Sequence, residues 1–317
     1  MSKFKKIMIA LSVVIVLCIG ATIVGCGFLV DTILQTKDGQ DMPDSRRFMC
    51  KEYPYLRPWM DSVETKGIMR DTFLINKEGL RLVGKYIPSA KKTRRTAVVV
   101  HGYTDNAYRI MQIGYMYSHS LGYNVLLPNL QYHGGSEGDA IQMGWDDRWD
   151  VLEWMDMANT IFGGNTEMVV HGISMGAATT MCVSGETPPS YVRCFVEDCG
   201  YTSVWDQFAK SFEEGYDMPT FPLLNIASIY CKLKNGWGFE EASPLEQVKK
   251  CKLPMYFIHG SADDYVPTWM VRPLYEAKPG TKELWLVDQA EHAVSYKENK
   301  EEYTRRMKAF TERYMKE

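Results

Sequence analysis

The sequence predicts an α/β fold: a mostly parallel sheet with helices on both faces, entered through an antiparallel hairpin. Three observations carry that expectation. From about residue 70 onward, strand-like and helix-like segments alternate, as parallel neighbours require because each needs a crossover connection. Thr96-Ala97-Val98-Val99-Val100 is a continuous apolar run and not an alternating one, the pattern of a strand buried on both faces. Thr72–Ile75 and Leu80–Tyr86 flank Asn76-Lys77-Glu78-Gly79, a hairpin turn ending in Gly.

Taken in order, the chain of 317 residues begins with Lys3, Lys5 and Lys6, then runs from Ile7 to Val30 without a charge. As a helix that stretch spans about 36 Å, more than the roughly 30 Å hydrocarbon core of a bilayer. The favoured expectation for residues 1–30 is an uncleaved transmembrane anchor. Three lysines before it and Asp31 behind it put the N-terminus inside and the rest outside. Two rivals stay open. A cleaved signal peptide has a shorter apolar region, about 7–15 residues. Lipidation at Cys26 is suggested by Ile23-Val24-Gly25-Cys26, which resembles a bacterial lipobox. All three place the remainder outside the cytoplasm.

Residues 31–70 read as a polar connector with Pro43, Pro54 and Pro58, part of it helical and packed on the domain edge. After the hairpin and the buried strand come a helix over Ala107–Leu121 and a strand at Asn124–Leu127. A helix opens at Trp149, and strands follow at Met168–His171 and Val192–Val196. Thr202 to about Lys250 breaks the alternation and reads as an inserted helical cap. It is rich in aromatics: Trp205, Phe208, Phe212, Tyr216, Phe221, Tyr230, Trp237 and Phe239. Those at helical spacing read as cap core; any facing the site would favour an apolar or aryl acyl group. Strands at Met255–Ile258 and Glu283–Val287, a helix from about Thr268 between them, and a charged helix over Lys297–Met315 complete the domain, residues 71–317.

The pattern G-x-S-x-G occurs twice, and its chemistry needs a strand turning sharply into a helix so that the Ser hydroxyl stands clear of the backbone. Gly172-Ile173-Ser174-Met175-Gly176 has that context; Gly134-Gly135-Ser136-Glu137-Gly138 does not, so Ser136 is read as a loop residue. A Ser hydroxyl needs a base, and the base needs a carboxylate to orient it. In an open parallel sheet these groups gather beyond the carboxyl ends of the strands. Past the last two strands stand His259-Gly260-Ser261-Ala262-Asp263-Asp264 and Asp288-Gln289-Ala290-Glu291-His292, giving the order Ser, Asp, His.

These motifs carry a resemblance. H-G-Y at 101–103, H-G-x-S-M-G at the elbow, H-G-x-x-D-x-x-V-P at 259–267 and E-H-A at 291–293 make residues 70–317 similar to serine hydrolases of the α/β-hydrolase superfamily. The chain most resembles a membrane-anchored bacterial branch akin to acyl-peptidase and esterase domains. The resemblance implies an eight-stranded-type sheet with a small cap, and Ser174, Asp263 and His292 as catalytic residues, with Asp264 the adjacent rival for the acid. It implies an oxyanion hole from the backbone amides of Met175 and Tyr103, although the Tyr103 side chain could simply line the pocket. The implied activity is hydrolysis of carboxylic esters through an acyl-Ser174 intermediate; an amide or peptide bond, or a binding protein without turnover, are the alternatives. Partners expected are a small ester or acyl-peptide substrate and a membrane; no cofactor or metal is expected.

The remaining signals are bland. His101, His133, His171 and His259 each precede a Gly and read as packing and turn residues. Asp150 reads as a helix-start or buried salt-bridge residue. Six cysteines beyond the apolar stretch would permit three bridges, yet spacing gives no connectivity, and Cys182 and Cys194 fall in core elements as free thiols. No C-x-x-C pair or His/Cys cluster at zinc spacing occurs. A net charge of −3 draws the chain to no nucleic acid.

Overall fold

The computed structural model describes residues 2–38, 40–215 and 217–316; Tyr216 therefore lies outside the described residues. Eight strands form one sheet: β1 (Arg70–Ile75), β2 (Arg81–Ile87), β3 (Arg95–Val100), β4 (Asn124–Pro128), β5 (Glu167–Ile173), β6 (Val192–Asp198), β7 (Met255–Gly260) and β8 (Lys282–Val287). Their order is β1-β2-β4-β3-β5-β6-β7-β8. β1 and β2 pair antiparallel, as do β2 and β4; every later pairing is parallel. The fold is that of an α/β-hydrolase.

β3 shows why its run is continuous. Val98 and Val100 pack into the apolar layer on one face with Trp154, Met181 and Phe257. Ala97 and Val99 pack into the other with Leu56, Tyr117 and Phe310. Successive side chains point to opposite faces, and helices cover both, so from Ala97 to Val100 every side chain is apolar.

The connector holds two helices, Met42–Glu52 and Leu56–Thr65. Its prolines mark their starts: Pro43 and Pro58 lie in first turns, where a missing N–H costs nothing. The expected helix over Ala107–Leu121 is shorter. It starts at Met111 and ends in a π-helical turn over Met116–Ser120; before it the chain makes tight turns, with the Arg109 amide donating to the Asn106 carbonyl and the Met111 amide to that of Tyr108. The C-terminal helix is broken at Asn299 into Ser295–Glu298 and Lys300–Tyr314.

The N-terminal helix runs unbroken over Lys3–Leu34 and is long and apolar enough to cross a membrane, with its most apolar stretch unburied. Its last turns pack on the body. Cys26 and Val30 are buried, Tyr230 donates to Asp31 at 2.9 Å, and the Ile141 amide donates to the Leu34 carbonyl at 2.7 Å. Between β6 and β7 stand the helices Val204–Lys210, Leu223–Asn235 and Pro244–Val248 and a π-helical turn over Ser211–Gly215.

Candidate active site

The elbow is built by two close approaches. Ser174 sits between β5 and the helix Met175–Ser184 with φ 57° and ψ −121°, a conformation that costs a non-glycine residue about 1–3 kcal/mol. A Cβ on Gly172 would run into the Gly176 carbonyl, and one on Gly176 into the Val100 carbonyl. Both positions must be Gly for the helix to leave the strand this sharply. The Ser174 amide donates to the Asp198 carbonyl at 2.8 Å, fixing the turn against β6.

Ser174 Oγ lies 2.9 Å from His292 Nε2, and His292 Nδ1 lies 2.8 Å from Asp263 Oδ2. A carboxylate can only accept, so Nδ1 carries the proton and Nε2 faces the Ser hydroxyl as an acceptor. The loops bearing Asp263 and His292 touch because Gly260, with no Cβ, lets the Ala290 carbonyl come close. Asp264 is exposed and stands apart from His292 in hydrogen bonding; its carbonyl accepts from Lys210.

Asp263 is over-supplied with donors. Burial pushes its carboxyl up, but hydrogen bonds from His259 and His292 outweigh that, helped by the Val266 amide, and hold it at about 2. The amides of Tyr265 and Val266 donate to Oδ1 at 3.0 and 2.9 Å. His259 Nε2 lies 2.9 Å from the Val266 carbonyl and 3.4 Å from Asp263 Oδ2. So His259, read in the sequence as a packing residue, also braces the carboxylate. Burial lowers its pKa, yet Asp263 and Glu197 raise it more.

Met175, the first residue of the elbow helix, has an amide with no intrahelical acceptor. It lines, with Ser174 and Tyr103, a cavity of about 600 Å³ walled by Met143, Tyr201, Phe208 and Tyr265. The Tyr103 hydroxyl donates to the Ile33 carbonyl at 2.7 Å, so its side chain ties the N-terminal helix to the pocket edge. The Tyr265 ring lies 4.8 Å from the His292 ring. Ile33 also lines the cavity, a residue of the expected connector that the sequence gives no reason to single out.

Beneath the elbow runs a buried polar chain. Tyr117 and Tyr303 hydroxyls each lie 3.0 Å from a nitrogen of His171, and Tyr303 donates to Asp198 Oδ2 at 3.0 Å. One neutral tautomer satisfies every link: Tyr117 donates to Nδ1, and Nε2 donates to Tyr303. Burial accordingly lowers the His171 pKa to about 3 and pushes Asp198 up to about 7. His101 similarly accepts from the Leu130 amide at 3.0 Å. Asp150 accepts from the amides of Asn76 and Gln131 at 2.7 and 2.8 Å; its partners are neutral, not a buried cation. Ser136 Oγ donates to the Asn129 carbonyl at 2.9 Å and accepts from the Val83 amide at 3.0 Å, a loop tie far from the elbow.

Among the described residues, Cys199, Asp263 and His292 bring possible metal-ligand atoms within 4.8 Å of one another. Burial holds the Cys199 thiol well above its usual pKa, which disfavours the thiolate a metal needs, and the other two already bind each other. All eight cysteines are free, with Cys182 and Cys194 buried.

Residues 116–317 match the prolyl oligopeptidase family. The chain belongs to that family. It is a serine hydrolase. Among its relatives, YqkD of Bacillus subtilis is 31% identical over 218 residues, covering 69% of this chain and 71% of that protein. The α/β-hydrolase domain-containing protein WAV2 of Arabidopsis thaliana is 23% identical over 223 residues, 66% of each. Among solved structures, the Pyrococcus furiosus esterase Pf2001 superposes with a TM-score of 0.64 at 22% identity, over 78% of this chain and 93% of that one. The Pyrococcus horikoshii acylaminoacyl peptidase superposes with a TM-score of 0.58 at 18% identity, over 80% of this chain but 42% of that one. At these identities the superpositions speak to the fold.

Proposed function

We propose that the protein hydrolyses carboxylic esters through an acyl-Ser174 intermediate. The supporting observation is the continuous line from Ser174 Oγ through both nitrogens of His292 to Asp263, 2.9 and then 2.8 Å. In this reading Ser174 Oγ attacks the acyl carbon as its proton passes to His292 Nε2. Asp263 stabilises the imidazolium without taking the proton. The amides of Met175 and Tyr103 receive the oxyanion, each such donor being worth ~10²–10³ in rate. Collapse expels the alcohol, which takes the proton from Nε2. Water, deprotonated by the same nitrogen, then releases the acid and frees Ser174.

An ester is put first because the apolar cavity walls, Met143, Phe208 and Val266, suit an acyl group; an amide or peptide bond is the alternative within the same machinery. Residues 1–30 act as an uncleaved membrane anchor in this reading, with residues 71–317 as the hydrolase domain outside the cytoplasm and a cap at about 202–250. The test is labelling with a fluorophosphonate and turnover of p-nitrophenyl esters beside aminoacyl p-nitroanilides. Wild type should label and prefer esters, and Ser174→Ala should do neither. Equal labelling of both would refute the nucleophile.

A further inference from the structure

We propose that the substrate is a long-chain lipid ester taken laterally from the bilayer that holds the N-terminal helix, entering between the last turn of that helix and the cap. This rests on the ester-hydrolase and anchor readings above and deepens them by naming the substrate class.

The argument starts from continuity. Ile33 lines the catalytic cavity and belongs to the same unbroken helix as the uncharged stretch ending at Val30. Three residues of helix separate them, about 4.5 Å. A bilayer around residues 7–30 therefore ends within one helical turn of the cavity wall. The catalytic pocket cannot then lie far out in the aqueous phase; it sits at headgroup depth.

The cap is built for the same interface. Its helix Leu223–Asn235 packs against the emerging N-terminal helix: Cys26 Sγ lies 3.5 Å from the Leu223 carbonyl, and Lys234 pairs with Asp31 at 2.6 Å. Leu224, Ala227 and Cys231 face the core. On another face the helix exposes Ile229 at 61% and Leu233 at 83%, with Phe221 just before it at 77%. Ile229 and Leu233 are four apart, so they share one side of the helix. Large apolar side chains are thus left bare on the cap helix that packs against the N-terminal helix, whose own Val24 and Phe28 are 72% and 74% exposed. Such a surface beds into the acyl–headgroup boundary.

The cavity suits an acyl chain. Met143, Phe208, Tyr201 and Val266 give it apolar walls, and the hydrophilic groups, Gln207, Lys210 and Glu214, come from the cap. Lys210 is already engaged by Glu214 at 3.3 Å, so no uncompensated charge waits there for an ionic substrate. At about 600 Å³ it falls in the usual range for a small-molecule site, ~300–1,000 Å³.

The test uses the full-length protein in phosphatidylcholine vesicles containing 1-oleoylglycerol, with p-nitrophenyl butyrate as the water-soluble comparison. For wild type, diluting a fixed amount of 1-oleoylglycerol with more phosphatidylcholine should lower the rate in proportion to its mole fraction. A rate that ignores mole fraction, or no turnover of 1-oleoylglycerol while butyrate is cleaved, overturns the proposal. Failure on both esters without fluorophosphonate labelling instead refutes the underlying hydrolase reading. A variant carrying Phe221→Glu, Ile229→Glu and Leu233→Glu should keep butyrate turnover within ~2-fold and lose at least ~10-fold on 1-oleoylglycerol, since each buried apolar side chain strengthens surface docking. Equal rates on both esters, relative to wild type, would refute the cap's part in docking. Should the variant lose both activities, the mole-fraction result on wild type decides.

Discussion

Replacing Asp263 by Asn changes one atom's chemistry at the centre of the proposed machinery. The Asn carbonyl can still accept from the Tyr265 and Val266 amides, which bind Oδ1 at 3.0 and 2.9 Å. Its NH₂ group, however, now faces His292 Nδ1 at the position held by a carboxylate 2.8 Å away. A donor there requires Nδ1 to accept, so the remaining imidazole proton moves to Nε2 and points at Ser174. The base is then blocked. Wrong-tautomer variants of Ser-His-Asp sites lose ~10⁴ in kcat, ~5.5 kcal/mol. A second consequence concerns stability. Asp263 is held at about 2, and the gap from an ordinary ~3.9 corresponds to ~2–3 kcal/mol of preference for the charged form in the fold. The neutral amide forgoes that, so the urea midpoint should fall as well. The depressed pKa puts this contribution at full strength above about pH 4 and removes it as pH falls towards 2. The assay is kcat on p-nitrophenyl butyrate, paired with urea unfolding at pH 7. Asp264→Asn, at an exposed position, is the control and should stay within ~2-fold of wild type. If folded Asp263→Asn keeps more than a tenth of wild-type kcat, the reasoning from tautomer and carboxylate is wrong.

Tyr303→Phe strips the hydroxyl that links His171 to Asp198, both fully buried. Two buried polar groups lose a partner, so urea unfolding should report a loss of ~2–4 kcal/mol, with kcat on a soluble ester changed less than ~10-fold. Burial pushes Asp105 and Asp198 up to about 7 and Glu197 up to about 8. Raised carboxyl values mean that their contribution to stability is complete below about pH 4 and lost as pH climbs through 7 to 8. Buried neutral His171, held at about 3, acts oppositely up to about pH 6.5, so unfolding midpoints should fall between pH 6.5 and 8, and Asp198→Asn should flatten that fall; a midpoint rising steadily over that interval would contradict it.

The motifs were legible because their geometry is local. Gly172 and Gly176 are dictated by backbone atoms within one turn and one neighbouring strand, so the elbow announces itself in five residues. The strands were legible for a similar reason: a segment buried on both faces is dominated by apolar side chains, its few polar ones being hydrogen-bonded. Helix limits were less so. Ala107 to Ile110 is expected to be helical, yet it forms tight turns, with the Arg109 and Met111 amides donating to the Asn106 and Tyr108 carbonyls. In the connector, Pro43 and Pro58 look like breakers when read alone and prove to be helix starts.

What the order of residues determined by itself was the sheet, its hairpin entry, and the Ser, Asp and His positions past the strand ends, since each follows from burial pattern and chain direction. The choice between Asp263 and Asp264 needed the tertiary structure. Neighbours one residue apart have the same chemistry, and only the docking of Gly260 against Ala290 decides which carboxylate meets His292. The same holds for Ile33. Nothing in the sequence tells that Ile33, two residues past the charge of Asp31, forms a pocket wall, because that depends on where the helix meets the folded domain.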